Sequence, residues 1–512
     1  MIEAEWQSLG HLLRERAKEN PRAEFLRFPE GSLTYSDVEE RTNRLANVLL
    51  ERGVSPGDRV AVMMRNGQGF PLAWLAIAKA RAVMVPVNPG YREADLTHVL
   101  TDSGASLVLA EKGELQIIEE VRSRCPSLRE ASSLDGLASE IRAASNRLEL
   151  NSEREDLLNL QYTSGTTGFP KACMLTHDYF LRMGSTIGVN AKLEPNDVVL
   201  TAQAFSYIDP QWKLTMSLLA GATFVILPRF SASTFWRSIA EQGVTVFYVI
   251  ATMPVFLLRQ DPYPEEKAHK VRLVMCSGII PQFHREFEER WGAPWREVYG
   301  MTETGVDLVV AADDESSVGS GTVGKPIPTK EAQIIREDGS VAEDSEVAEL
   351  VVRGKPMMLG YWNNPEATAA TMRQDGLHTG DLALRDSNGY FFLRGRIKDM
   401  IRRSGENISA AEVEGVLCEH PLVEAAAVVP VPDELRGEEV KAFIKLRPGH
   451  DLAPQDVIAF VGEKLARFKI PRFVEFVKEF PLTSSQRVAK HLLLGTKDDQ
   501  RRDAYDSKSG AE

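Results

Sequence analysis

Short apolar runs alternate with amphipathic stretches through most of this chain, and that alternation admits few folds. Residues 36–52, SDVEERTNRLANVLLER, carry apolar side chains at helical spacing, and Ser36 followed by Glu39 reads as a capped start. DRVAVMM at 58–64 follows the turn SPG and is a compact apolar run, so it predicts a strand. A helix over 70–80, the run AVMVPV, a helix near 93–101 and SLVLA at 106–110 repeat the pattern. It returns in ATFVILP (222–228), VTVFYVI (244–250) and VRLVMCSG (271–278). Strands joined through helices run parallel, with helices on both faces. The expectation is a large α/β N-terminal domain of layered sheets and helices over residues 1–394.

Near Gly395 the texture changes. RGRIKDMIRRSGENI (394–408) is densely basic and punctuated by glycine. Beyond it the pattern predicts a helix over 409–419, strands over 423–430 and 440–446, a helix over 454–465 and a strand over 472–477. These make a small α+β C-terminal domain, 395–496. The polar ending KDDQRRDAYDSKSGAE, 497–512, is expected to be a flexible tail.

Composition narrows the function. The chain has 43% hydrophobic and 26% charged residues and a net charge of -13. A general binder of nucleic acid or of an anionic membrane needs a basic surface, so both classes are set aside. A local basic pocket for an anionic substrate is still allowed. Cys125, Cys173, Cys276 and Cys418 show no CxxC spacing and read as free thiols, not as a disulfide framework or a zinc site. The first residues, MIEAEWQSLGHLLRERAKENP, lack an apolar signal core, and no apolar run reaches the roughly 18 residues of a membrane span. A cytoplasmic protein is the default expectation.

The chemistry gathers around QYTSGTTGFPKACMLTH, 161–177. A Walker loop reads GxxxxGK[ST]. Counted from Gly165, Lys171 stands at the lysine position, but Pro170 replaces the second glycine and Ala172 replaces the magnesium-binding hydroxyl. Hydroxyls lead instead, from Thr163 through Ser164 to Thr166 and Thr167. With the amides of Gly165 and Gly168 they can wrap a polyphosphate, and Lys171 can reach it as a mobile charge. A surface turn rich in small polar residues is the competing reading. VYGMTETG (298–305) adds Tyr299 to stack on a base, Thr302 to bond a phosphate oxygen and Glu303 to hold Mg²⁺. LHTGDLA (377–383) places Asp381 after a glycine turn, where it can accept ribose hydroxyls.

These segments, in this order and spacing, resemble the adenylate-forming superfamily of acyl-CoA synthetases, peptide-synthetase adenylation domains and luciferases. The signatures are YTSGTTGFPK, YGMTET, VVRGKPMMLGYW, HTGD and GRIKDMIRRSGENI, with LTYSDVEERTNRLA and ARFKIPRFVEF as weaker ones. The look is nearest to carnitine/crotonobetaine- and medium-chain-type acyl-CoA ligases. The resemblance implies ATP, Mg²⁺ and coenzyme A, a small-molecule acid substrate, and two half-reactions through an acyl-AMP. It leaves a homodimer open. By motif position, Thr163, Ser164, Thr166, Thr167 and Lys171 would embrace the β- and γ-phosphates and Thr302 would touch the α-phosphate. Glu303 would bind Mg²⁺, Tyr299 would lie on adenine, and Asp381 and Arg396 would hold the ribose. Lys398 falls at the family's hinge, about which the small domain would swing, and Gly405 would border the pantetheine channel. The acyl pocket would be walled by the segment around Tyr207, by Ser277 and Gly278, and by the stretch beginning at Tyr299 and Gly300.

The sequence departs from the family's pattern in four places. The usual C-terminal lysine segment reads PLTSSQRVAKH, which aligns Arg487 with the lysine and leaves Lys490 three residues later. Arg keeps the charge but not the compact ammonium. Tyr207 stands where many relatives have His. Lys213 interrupts an otherwise apolar helix; it reads as a snorkelling surface lysine or, more sharply, as a cation at the substrate end of the pocket. SEVAEL, 345–350, stands where relatives often have glycines. The expected activity is an ATP-dependent acid–thiol ligase acting on a small or compact carboxylic acid. The alternatives are an adenylate-forming enzyme with a non-CoA acceptor, including nitrite-activating diazotase-type chemistry, and a non-catalytic nucleotide binder of the same fold.

Overall fold

The alternation resolves into two mostly parallel sheets in the larger of two units. The structure, a computed structural model, describes residues 6–149, 152–163, 170–250, 253–404, 406–481, 488–494, 501 and 503–508. The larger unit takes residues 1–331 and 352–377, and the smaller takes 332–351 and 378–512. Residues 332–351 and 378–394, expected with the large domain on sequence grounds, group with the C-terminal residues; their strands form a sheet of their own, in which Asp381 stands opposite Arg396 across Gly376–Arg385 and Phe391–Arg396.

In the first sheet Arg59–Met63 lies between Val83–Pro86 and Leu107–Ala110, all parallel. Glu130–Ser133 extends one side, Leu157–Thr163 the other, and Lys171–Thr176 closes it antiparallel. In the second sheet Glu24–Phe28, Thr223–Ile226, Val198–Thr201, Val246–Ile250, Leu273–Ser277 and Trp295–Met301 run parallel in that spatial order. Gly305–Val309 turns back antiparallel at one edge. These strands read as continuous apolar runs because both faces are buried. On one face Phe247, Phe287, Trp236, Trp291 and Trp295 form a nested aromatic core, each 2% exposed or less.

The first long helix, Tyr35–Glu51, corrects the expected cap. Thr34 is the N-cap, and Asp37 returns the bond to the Thr34 amide at 2.9 Å. Glu39 instead serves the buried Lys79, whose Nζ lies 2.5 Å from Glu39 Oε2 and 2.8 Å from both Thr42 and Asn43. A buried ammonium needs such partners, and propensity alone could not show which carboxylate would supply them.

In the smaller unit, Val423–Asp433 and Gly437–Leu446 form a hairpin, and Phe473–Phe476 runs parallel to the second strand. Helices Ala410–Cys418 and Pro454–Gly462 supply Val413, Leu417, Val457 and Val461 to the core. The expected flexible tail is corrected for its described residues: Tyr505–Asp506 pairs with Phe473–Val474, and both Asp506 oxygens take Arg472 at 3.0 Å. Lys508 reaches the fully buried Glu439 at 3.3 Å, beside Arg403 at 2.6 Å. Charge complementarity anchors this ending, which its apolar content could not reveal.

Candidate functional site

The loop quoted as 161–177 hangs between two paired strands. Thr163 faces Lys171 across the antiparallel ladder, so both sit at its base. Ser164, Gly165, Thr166, Thr167 and Gly168 lie outside the described residues. Lys171 Nζ rests 4.4 Å from the centre of the Tyr361 ring, a cation–π contact that holds the ammonium head. The Tyr361 hydroxyl donates to Glu303 Oε1 at 2.8 Å. One phenol therefore ties Lys171 to Glu303, which are 132 positions apart in sequence.

Thr302 and Glu303 occupy the turn between Trp295–Met301 and Gly305–Val309. That turn is held from several sides. Tyr179 Oη donates to the Thr302 carbonyl at 2.9 Å, and the Met358 amide donates to the Glu303 carbonyl at 2.8 Å. Lys330 donates to the Thr304 carbonyl at 2.9 Å and pairs with Asp307 at 3.2 Å, both side chains fully buried. A Cβ on Gly300 would come within 1.9 Å of the Gly305 carbonyl oxygen, so the turn closes only over glycine. Glu303 is 8% exposed, and among the described residues its other oxygen takes no hydrogen bond. An acceptor oxygen fixed this way on a buried turn has the character of a Mg²⁺ ligand. Tyr299, 8% exposed, is the third residue from the end of its strand and opposes Leu308.

A second group of predicted residues lies around helix Ile208–Ala220. Tyr207 precedes the helix, and Asn88 donates to its hydroxyl at 3.0 Å. Lys213 is fully buried, which overturns the snorkelling reading. Its Nζ donates to Gln203 Oε1 at 2.5 Å and stands 5.7 and 5.4 Å from the Trp212 and Tyr248 rings. Burial pulls its pKa down to about 7, against the charge of Asp209 one turn back. Tyr248 Oη donates to Ser277 Oγ at 2.8 Å, and Ser277 in turn donates to the Val298 carbonyl. Gly278 takes φ +95°, and its amide donates to Glu297 at 2.6 Å, with the Ile279 amide at 2.8 Å. Burial pushes the Glu297 carboxyl up to about 8.

The two groups share a buried polar chain. Trp74 Nε1 donates to Asn159, Asn159 to Gln211 at 2.7 Å, Gln211 to Gln161 at 3.2 Å, and Gln161 to the Ser206 carbonyl. It locks the strand Leu157–Thr163 to the start of the helix behind Tyr207. Fully satisfied networks of this kind fix one geometry.

The smaller unit holds its own predicted residues. Arg396 Nε lies 2.7 Å from Asp381 Oδ1. Of Lys398 only the backbone is described, in the short turn Ile397–Asp399. Gly405 and Arg487 lie outside the described residues. Lys490 is engaged: its Nζ pairs with the half-buried Glu414 at 2.7 Å, and Glu414 also accepts the Val428 amide at 2.6 Å.

Sequence reasoning missed Tyr361, Tyr179, the Asp307–Lys330 pair and Glu297. Tyr361 carries a signal as the penultimate residue of the quoted VVRGKPMMLGYW, with nothing in that stretch alone to assign it a role. The others are partners across sequence distance, with no local pattern to mark them.

Among the described residues no helix is long and apolar enough to cross a membrane. Residues 13–362 match the family described as AMP-binding enzyme, and 412–487 match its C-terminal domain. A crotonobetaine/carnitine–CoA ligase of Proteus mirabilis is 32% identical over 481 residues, covering 89% of this chain and 92% of the relative. A feruloyl-CoA synthase of an Amycolatopsis species is 31% identical over 488 residues, covering 94% and 98%. Among solved structures, ATP-bound MatB from Rhodopseudomonas palustris superposes with a TM-score of 0.87 at 27% identity, covering 94% of this chain and 98% of that one. Matched along nearly its whole length, with the loop base, the Glu303 turn and the helix behind Tyr207 joined in one unit, the chain belongs to the AMP-binding enzymes and is an adenylate-forming acid–CoA ligase.

Proposed function

We propose that this enzyme converts a small or compact carboxylic acid to its CoA thioester through an acyl-AMP, with MgATP and coenzyme A as co-substrates. The observation that carries the reading is the Lys171–Tyr361–Glu303 arrangement. In the first half-reaction a carboxylate oxygen attacks the α-phosphorus, the bond to the β-phosphate breaks, and pyrophosphate leaves. An anion attacks a polyanion, so the barrier is largely electrostatic. Thr163, Ser164, Thr166, Thr167 and Lys171 would hold the β- and γ-phosphates, Thr302 the α-phosphate, Glu303 the Mg²⁺ of MgATP, and Asp381 with Arg396 the ribose. Lys171 fixed on an aromatic face and Glu303 fixed by a phenol lose little freedom when the nucleotide binds, which favours the reaction. In the second half-reaction the CoA sulfur attacks the acyl carbon, loses its proton, and AMP leaves. A swing of the C-terminal residues about Lys398 would exchange the two catalytic faces, and Gly405 would border the thiol's path. Buried Trp212 and Tyr248 behind Tyr207 support a compact acid over a long chain.

The test is acid-dependent pyrophosphate release from MgATP across a panel of small acids, followed by CoA consumption. Release with matching thioester formation is expected. Release without CoA consumption would replace CoA by another acceptor, and no release with any acid would overturn the ligase reading.

A further inference from the structure

Among the described residues four lysines are almost fully buried, and they are not equivalent. Lys79 pairs with Glu39, Lys330 with Asp307 and Lys441 with Glu475, at 2.5, 3.2 and 2.7 Å. Lys213 forms no ion pair among the described residues: its bond is to the neutral amide of Gln203, two aromatic rings flank it, and the Asp209 carboxylate one turn back acts on it only through space. A buried ammonium without a counter-ion in contact is costly, and an anionic ligand that reaches it offsets that cost.

Its place in the fold indicates which ligand. Gln203 lies two residues past Val198–Thr201, Tyr248 lies in Val246–Ile250, and Ser277 ends Leu273–Ser277. These are neighbouring parallel strands, and small molecules bind α/β sheets beyond the carboxyl ends of such strands. The polar path from Lys213 past the Tyr248 ring to Ser277 and the Val298 carbonyl touches the segments expected to wall the acyl pocket. The rest of that wall is apolar or aromatic: Trp212, Tyr248 and the strand cores are buried.

We propose that the acid activated here carries a second anionic group, and that Lys213 is the specificity residue that pairs with it. This rests on the ligase reading above and deepens it. The first carboxylate goes to the α-phosphorus near the Glu303 turn. The second end of the acid meets Nζ beside the packed Trp212 and Tyr248 rings, whose centroids are 5.2 Å apart, and its charge replaces Gln203 as the group facing Nζ. The Lys213 stem has four methylenes and can turn to meet it. A monoacid in the same pocket leaves the ammonium uncompensated, so the site selects against it.

The experiment uses the whole enzyme with MgATP and pairs of acids. Each pair sets a short aliphatic or aromatic dicarboxylic acid against the acid in which methyl replaces the second carboxylate. Acid-dependent pyrophosphate release gives kcat/KM for each member. Wild type is expected to favour the diacid at least tenfold in one or more pairs. Lys213→Met is expected to cut that ratio tenfold or more, mainly through KM, with Lys213→Arg recovering part of it. Lys213→Gln, with thermal melting of every variant, separates lost pairing from lost folding. Monoacids turned over in preference to every diacid, or a ratio unchanged by Lys213→Met, would overturn this proposal and leave the ligase reading standing. Failure of every acid to release pyrophosphate would bring down both.

Discussion

Tyr361 Oη lies 2.8 Å from Glu303 Oε1, while the ring of the same tyrosine lies 4.4 Å beneath Lys171 Nζ. The hydroxyl and the ring thus have separable duties. Tyr361→Phe keeps the ring and removes the donor to a charged acceptor, a bond worth about 1.5–3 kcal/mol. The expected outcome is a fall in the adenylation rate of roughly ten- to a hundredfold. Glu303→Gln should lower it more, and the double variant should fall no further than Glu303→Gln alone. Additive losses in the double-mutant cycle would show that the phenol does not act through Glu303.

Lys213 predicts a trade of stability against selection. Its pKa in the fold is about 7 against 10.5 unperturbed. Between those values the unfolded chain binds the extra proton, so stability rises with pH across that window. Lys213→Met should therefore stabilise the substrate-free enzyme by about 1–4 kcal/mol at pH 6–7. That gain should shrink toward pH 10.5. Denaturant unfolding at several pH values reads it, and a gain independent of pH would exclude the buried charge as the cause.

His177 acts with the same sign in a more acidic window. It accepts the Leu9 amide on Nδ1 at 3.3 Å, and burial pulls its pKa down to about 4 from 6.5, against the charge of Asp156. A neutral His177 stabilises the fold fully above pH 6.5, and that contribution is lost as pH falls through the window to 4. Its size is about 3 kcal/mol. His177→Asn, which retains an acceptor, should flatten the acid limb of the stability curve. An unchanged limb would place acid sensitivity elsewhere.

At the C-terminal end, Lys490 is committed to Glu414 at 2.7 Å. Lys490→Ala leaves that half-buried carboxylate without its cation and should lower thermal stability. Arg487→Ala should lower the adenylation half-reaction at least tenfold, read as acid-dependent exchange of pyrophosphate into ATP, with little change in melting. The reverse pattern, adenylation lost with Lys490 and kept without Arg487, would assign the family's lysine role to Lys490.

Much of this was legible along the chain, and the rest was not, for a physical reason. Strands such as Val246–Ile250 and Leu273–Ser277 announce themselves because burial on both faces writes an unbroken apolar run. The loop around Lys171 and the turn at Thr302 and Glu303 are contiguous, so their chemistry is spelled in order. Tyr361, Lys330 and Glu297 act across the fold on neighbours brought there by topology, and no spacing encodes that. Lys213 could be seen as an anomaly in an apolar helix, but only burial decided between a surface lysine and a hidden one. Thr34 displaces Ser36 as the cap because Asp37, not Glu39, completes its capping box, and Glu39 bonds Lys79.

The two-residue strand Tyr505–Asp506 covers the outer side of Phe473–Phe476, which would otherwise end its sheet. A bare strand edge offers unpaired amides and carbonyls to any other extended chain. Trimming the polar ending as though it were dispensable would therefore open a template for self-association, and the shortened protein should come off a sizing column partly as soluble aggregates. Tyr505 and Asp506 serve as a hem on the sheet, and a tag joined close to them needs a spacer long enough not to pull it loose.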